Sequence, residues 1–279
     1  MKHLFFLSAL LFALPLPSEA ARRGLAAQFS LIPESQAHLA FGESGANALD
    51  PSSIKVLVWN IKKGQQAGLD HDLPEYGKDR DLLVISEGYL NPLVRGIFDS
   101  FSGMHWDMGI SFLYKKDHNY QTGTLIGSRV TPAWSKIKQT VDHEPVIDTP
   151  KCLTFGKYPI AGSSKQLLVI SVHGINAVLP DAFERHMALA QAEIVRHEGP
   201  VLLAGDFNSN LSAKIAFLFK MTRGLGMQSL KFRNDERIKT LGQTIDYIFV
   251  RGLHVRDSEV LGSLTSSDHK AMLADLVVD

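Results

Sequence analysis

Between Val201 and Asn208 the chain runs Val-Leu-Leu-Ala-Gly-Asp-Phe-Asn, an apolar stretch that stops on a carboxylate, Asp206, and an amide, Asn208, two residues apart. Side chains two apart on an extended segment share a face, so both can reach one pocket. Such a pair suits a metal-assisted attack on phosphorus, although the same residues after a strand also make an ordinary turn. Company elsewhere in the chain separates the two readings. Asn60, Glu87 and His173 also end apolar runs, whereas Asp246, Asp268 and His269 stand at or just before the start of two later ones. If the late runs lie antiparallel to the early ones, all of these side chains meet on one edge of a sheet core, as a catalytic rim requires.

The elements that must position them follow from pattern. Short apolar runs at 55–60, 81–87, 166–173, 200–206, 244–251 and 270–278 predict strands buried on both faces of a sheet held between layers. Helices fall between them. Asn91 and Pro92 form a cap and first-position pair ahead of Val94, Ile97, Phe98 and Phe101. Asp181 and Glu184 read as a capping-box-like start before the stripe Phe183, Met187, Ala190 and Ile194, with Gly199 and Pro200 as the stop. A third helix is predicted over 212–223, with Ile215, Leu218 and Phe219 inward.

The 279 residues leave room for one large α/β domain, and 29 basic against 29 acidic residues give no net field toward nucleic acid or an anionic membrane. Lys2 and His3, an apolar stretch over 4–17 and small residues up to Ala21 have the pattern of a cleaved secretory leader at 1–21, so the protein is expected to be periplasmic or secreted. That stretch is short for a membrane span, and no transmembrane segment is expected in the mature chain. Residues 22–53, rich in Ala, Ser and Gly, read as an irregular lead-in to a domain at 54–279. Cys152 is the only cysteine, which excludes an internal disulfide, and it reads as a half-buried thiol.

Taken in order, WN at 59–60, SE at 86–87, VHGIN at 172–176, GDFN at 205–208, IDYIFV at 245–250 and SDH at 267–269 closely resemble the endonuclease/exonuclease/phosphatase superfamily. The resemblance spans roughly residues 54 to 279. It implies a DNase I-like fold, a four-layer α/β/β/α sandwich of two mixed β-sheets with helices outside. It also implies roles. Glu87, with Asn60 and Asp268, matches the site of a divalent cation, Mg²⁺ with Mn²⁺ as a substitute, and carboxylates, an amide and water suit such a hard ion. Asp206 and Asn208 match the pair that orients the attacking water and the phosphate. His173 matches a donor to a phosphate oxygen or the leaving group. Asp246 and His269 match an Asp–His pair in which the carboxylate holds the imidazole tautomer.

Other residues carry weaker signals. Asn176 and Lys62 are candidate phosphate contacts, though an Asn in a loop also forms turns and the paired lysines Lys62 and Lys63 also fit a solvated loop. Lys115, Lys116 and His118 fit a hairpin tip, Ser128 and Arg129 are placed near the substrate, and no role is readable for His143 and Glu144. The expectation is an exported, monomeric, Mg²⁺-dependent phosphodiesterase, first of all an endonuclease acting on DNA or RNA. The alternatives are a phosphatase or phospholipase C acting on an inositol phosphate or a sphingomyelin-type lipid headgroup, and a non-catalytic binding protein on the same fold. The absence of basic excess counts against tight duplex binding, and a lipase would favour exposed aromatics such as Trp106, Phe112 and Tyr114.

Overall fold

The computed structural model describes residues 24–279, so the expected leader lies outside the described residues. The strands of the first half are β1 (Phe29–Ser30), β2 (His38–Phe41), β3 (Ile54–Asn60), β4 (Leu82–Tyr89), β5 (His105–Tyr114), β6 (Tyr120–Ser128) and β7 (Trp134–Gln139). Those of the second half are β8 (Cys152–Pro159), β9 (Gln166–His173), β10 (Val201–Asp206), β11 (Gln228–Ser229), β12 (Lys239–Thr240), β13 (Gln243–Thr244), β14 (Asp246–Arg251), β15 (Leu253–Leu261) and β16 (Ala271–Val278). The α-helices between them are α1 (Leu69–Gly77), α2 (Pro92–Asp99), α3 (Pro180–Val195) and α4 (Ser212–Gly224).

The strands build two large mixed sheets, one ordered β1-β5-β6-β4-β3-β16-β15 with β2 also on β5, the other β11-β14-β10-β9-β8-β7. In each, one parallel pair carries early site residues, β3 beside β4 and β9 beside β10. Late strands close on them antiparallel, β16 on β3 and β14 on β10. The expected reversal is therefore present.

Alternation along the strands explains the layers. Val56, Val58, Val84 and Met272 of the first sheet meet Val169, Leu202, Ala204 and Ile248 of the second in a shared core between the sheets. Their neighbours point outward: Leu57, Trp59 and Ile85 pack under α2 through Val94, Ile97 and Phe98. Ile170, Leu203 and Phe249 pack under α3 and α4 through Phe183, Met187 and Leu218. Strands buried on both faces read as unbroken apolar runs for this reason, and the result is the four-layer sandwich.

The helices keep most of their expected features. Asn91 accepts a hydrogen bond from the Val94 backbone N–H at 2.8 Å and Pro92 opens α2, as a cap and first-turn pair should. In α3 the capping box is absent, because the helix starts at Pro180 and Leu179, which has no side-chain acceptor, takes the cap position. Asp181 instead pairs with Arg185 one turn on, at 3.1 Å. The apolar face of α4 is rotated from the expected one: Leu218, Met221, Thr222 and Lys214 are buried, whereas Ile215 and Phe219 are half-buried.

Three further expectations change. The segment before residue 54 is not irregular throughout, since β1 and β2 add to β5. Trp106 and Phe112 are core residues of β5, not an exposed aromatic tip. Cys152 is fully buried rather than half-buried, and burial pushes its thiol far up, which leaves it inert.

Candidate active site

Three residues form a row across the end of the second sheet. Asp206 lies in register with His173 on the parallel neighbour β9 and with Asp246 on the antiparallel neighbour β14. Gly205 makes the close approach of β10 to β9 feasible: its φ is +136° and a Cβ there would fall 2.1 Å from the Val172 carbonyl oxygen. The chain then turns at Asn208, φ +49°, whose backbone N–H donates to Asp206 Oδ1 at 2.8 Å and whose side-chain amide donates to the Gly174 carbonyl at 2.9 Å. The two residues that opened the sequence argument thus act as a site and a turn together.

The loop before β16 brings in His269. Its Nδ1 lies 2.8 Å from Asp246 Oδ2, and its Nε2 lies 3.8 Å from Asp206 Oδ2. The loop is fixed by Trp59 Nε1, which donates to the His269 carbonyl at 3.0 Å, and by Ser267 Oγ, which donates to the Asn60 carbonyl at 2.7 Å. These two bonds tie the loop to β3 of its own sheet, and the Asp246–His269 bond then joins the two sheets at the site.

The first sheet contributes Asn60 and Glu87. Glu87 sits in a bulge of β4 where register with β6 shifts between Ile85 and Gly88, and its φ is +54°. A bulge re-aims a side chain that a regular strand would send elsewhere. Glu87 Oε1 accepts from Asn60 Nδ2 at 3.2 Å and lies 3.7 Å from His173 Nε2, and the same Asn60 amide donates to Asp206 Oδ2 at 3.0 Å. Asn60 is thus the bridge between Glu87 and Asp206.

With that geometry in view, the sequence pattern of the Endonuclease/Exonuclease/phosphatase family matches residues 57–269. The chain belongs to this family. A UPF0294 protein of Klebsiella pneumoniae is 29% identical over 234 residues, 83% of this chain and 85% of its own. Among solved structures, the human Nocturnin catalytic domain with bound sulfate matches 88% of this chain and 98% of its own, with a TM-score of 0.61 at 17% identity. A mannosyl-6-phosphatase of Bacteroides thetaiotaomicron matches 81% of this chain and all of its own, with a TM-score of 0.59 at 18% identity. Members of the family are generally hydrolytic phosphoesterases that depend on a divalent metal, and the structural neighbours share its DNase I-like fold.

In this family member, backbone strain and charge gather in one place. A cavity of about 780 Å³ is floored by Glu87, His173, Asp206, Asn208, Asp268 and His269. Half of the described non-glycine residues with positive φ line it, namely Lys62, Lys63, Glu87, Ala177 and Asn208. Clusters of such conformations mark functional sites.

The electrostatics divide the roles. Burial pushes the Asp206 carboxyl up to about 7, with the Asp246 charge adding to the effect against His269. Burial alone would push His269 down, but the charges of Asp246 and Asp206 outweigh it and carry it up to about 10, so its ring is an imidazolium at neutral pH. His173 is driven well below its ordinary value by burial and by the Lys151 ammonium, so it is neutral. Glu87 is buried, yet Lys63 and other cations hold it well below the usual carboxylate range.

The donor set fits a hard divalent cation. Glu87 and Asp268 each hold a positive group already, the ammonium of Lys63 and, at 2.7 Å, that of Lys62. Two lysines thus stand where carboxylate oxygens are arranged to receive positive charge. Asp206, Asp246 and His269 also lie within 4.8 Å of one another. Because Asp246 and His269 are bonded to each other, that trio suits proton handling better than coordination.

The remaining expected residues sort plainly. Asn176 lines the cavity, and its backbone N–H donates to Glu144 Oε1 at 3.2 Å. Lys115, Lys116 and His118 form the turn between β5 and β6, with Lys116 at the cavity edge. Ser128 and Arg129 lie at the opposite end of the sheet from Glu87, where Arg129 Nε donates to the Arg80 carbonyl at 3.0 Å, so neither approaches the site. Sequence reasoning gave no role to Glu144 or Lys151, an ion pair at 3.2 Å on the cavity wall. A lone lysine ahead of an apolar strand carries no signal of this, and Glu144 belongs to a loop whose fold sets its direction.

Proposed function

We propose that the protein is an exported, Mg²⁺-dependent phosphodiesterase. The reading rests above all on Asp206, held within 3.8 Å of both His173 and His269 on the floor of one cavity. Hydrolysis requires a water to attack phosphorus, the bond from phosphorus to the alcohol oxygen to break, and the departing oxygen to gain a proton. Asp206, kept basic by burial and oriented by the Asn208 N–H, accepts the proton of the water. The His269 imidazolium, anchored on Asp246, gives its Nε2 proton to the departing oxygen and regains one from Asp206, 3.8 Å away, while neutral His173 donates one hydrogen bond to the charge that builds on the phosphate oxygens.

Glu87, with Asn60 and Asp268, would hold the divalent cation, which supplies Lewis-acid stabilisation of that charge when bound. Lys62 and Asn176, both lining the cavity, serve as phosphate contacts. The neutral composition and a cavity of this size support a compact phosphoester or single-stranded end over a duplex. Export rests on the leader pattern at 1–21, and the N-terminal sequence of the protein recovered from its native host checks it, with a start at Arg22 or Ala21 expected and an intact Met1 contrary.

The test is a panel of plasmid DNA, RNA, sphingomyelin and inositol phosphates, each assayed with Mg²⁺ and with EDTA, with Asp206→Ala as control. Mg²⁺-dependent cleavage of at least one member, lost in the variant, is expected. Cleavage of none, or equal cleavage by the variant, would reject the proposal.

A further inference from the structure

The segment before residue 54, which reads in sequence as an irregular lead-in, supplies one wall of the active-site cavity. Leu25, Gln28 and Phe29 line it together with Phe112 and Tyr114 of β5. Phe29 stands opposite Tyr114 in the β1–β5 register, and its ring meets Phe112 at 5.0 Å and Tyr114 at 5.1 Å, both edge to face. The Lys115 N–H donates to the Gln28 carbonyl at 2.9 Å and continues that pairing. Behind this strap the chain is tied down more firmly. Glu34 accepts from Lys138 Nζ at 2.5 Å and from the Gln139 N–H at 3.0 Å, and the Ala37 carbonyl accepts from the Ile110 N–H at 2.7 Å.

This wall stands apart from the scaffold in packing and in sequence. Phe29, Tyr114 and Val146 belong to none of the three apolar layers that hold the sheets and helices together, yet all three line the cavity. The strap also precedes the stretch that carries the family pattern, residues 57–269, so the chemistry common to the family does not require it. Strand order gives its place relative to the reaction. His269 and Asp246 stand on the β16 and β14 side, and Glu87, His173 and Asp206 stand in the middle. On the far side lie the strap, carried by β5, and Val146 and Ile147 from the loop between β7 and β8. An ester whose departing oxygen takes its proton from His269 therefore directs the group that stays on phosphorus toward Phe29.

We infer that Phe29, carried by the strap at 25–29, is a specificity-determining residue that packs against the group retained on phosphorus and favours a flat apolar group there over a small one. An aromatic ring laid against Phe29, Phe112 and Tyr114 gains burial and ring contacts that a methyl group cannot make. This deepens the proposed phosphodiesterase and rests on it for the reaction, but the contact itself is one of binding and needs no turnover.

The experiment compares two soluble esters with the same leaving group, bis(p-nitrophenyl) phosphate and methyl p-nitrophenyl phosphate, in wild type, Phe29→Ala and Phe29→Tyr. Phe29 lies on a two-residue edge strand outside the apolar layers, so its replacement leaves the sheets intact. The ratio of kcat/KM for the diaryl over the methyl ester is expected to fall on the order of tenfold in Phe29→Ala, mainly through KM, and to return in Phe29→Tyr. A second readout needs no turnover. Isothermal titration with phenylphosphonate and methylphosphonate in Mg²⁺, whose P–C bonds are not hydrolysed, should show wild type binding the phenyl compound more tightly and Phe29→Ala losing that preference. An unchanged ester ratio in Phe29→Ala, equal losses for both esters, or equal affinity of wild type for the two phosphonates would overturn the assignment. Absence of turnover of both esters by wild type counts against the phosphodiesterase alone, because the phosphonate titration is read separately.

Discussion

Asp246→Asn removes one charge and almost nothing else. The Asp246 carboxylate is buried, and its Oδ2 accepts from His269 Nδ1 at 2.8 Å, a bond an amide oxygen could still receive. Burial works against the imidazolium, and Asp246 leads the two carboxylates that carry His269 from 6.5 up to about 10. That gap is equivalent to roughly 5 kcal/mol in favour of the charged ring. If Asp246 supplies about half, its loss withdraws roughly 2 kcal/mol of charge stabilisation, on the order of 30-fold to 100-fold in rate. The assay is kcat/KM on bis(p-nitrophenyl) phosphate with Mg²⁺, paired with NMR titration of the His269 ring. A fall of that size is expected, together with an imidazole that titrates at least about one pH unit lower and, because a raised histidine value stabilises the fold at neutral pH, a thermal midpoint a few degrees lower. Near-wild-type turnover with an unmoved titration would refute the reasoning.

Gly205→Ala would place a Cβ 2.1 Å from the Val172 oxygen at φ +136°. A cost of about 3 kcal/mol and a midpoint about 10 °C lower are expected by thermal denaturation, and an unchanged midpoint would remove the close approach as the reason for glycine. Lys63→Met leaves the buried Glu87 carboxylate without its ammonium partner, so the variant should melt several degrees lower in EDTA and regain more stability on Mg²⁺ addition than wild type does. Equal Mg²⁺ stabilisation of the two proteins would argue against Glu87 as a ligand. Asp107 lies between His38, at 2.7 Å, and His105, at 3.2 Å; burial opposes its ionisation, but these partners bring it down to about 2. Because its value is depressed, its stabilisation of roughly 2 kcal/mol is complete above the ordinary 3.8 and lost as pH falls through about 2. Urea midpoints should therefore fall over that window in wild type and much less in Asp107→Asn.

The rim was legible because chemistry sat at the ends of apolar runs. With β14 and β16 antiparallel to β10 and β3, the positions of Asp246 and His269 follow from strand direction alone. Apolar stripes revealed α2 and α3 for the same reason: burial of a helix face leaves a period in the sequence. What was illegible depends on loop direction and register. The bulge that aims Glu87 appears only as a register shift against β6, and the Glu144–Lys151 pair exists because the loop after β7 folds back over the cavity. Arg129 was misplaced because a basic residue at a strand end looks the same at either edge of the sheet, and here it binds backbone carbonyls at the far one. Lys62 and Lys63 were ambiguous, since nothing in two loop lysines shows that each faces a carboxylate of the site.

Turnover of bis(p-nitrophenyl) phosphate by purified wild type and Asp206→Ala, with Mg²⁺ and then with EDTA, tests the central claim most directly. The account predicts hydrolysis by wild type that EDTA abolishes and added Mg²⁺ restores, with a loss of at least about 10²-fold in the variant. Metal-independent hydrolysis, or a variant as active as wild type, would contradict it.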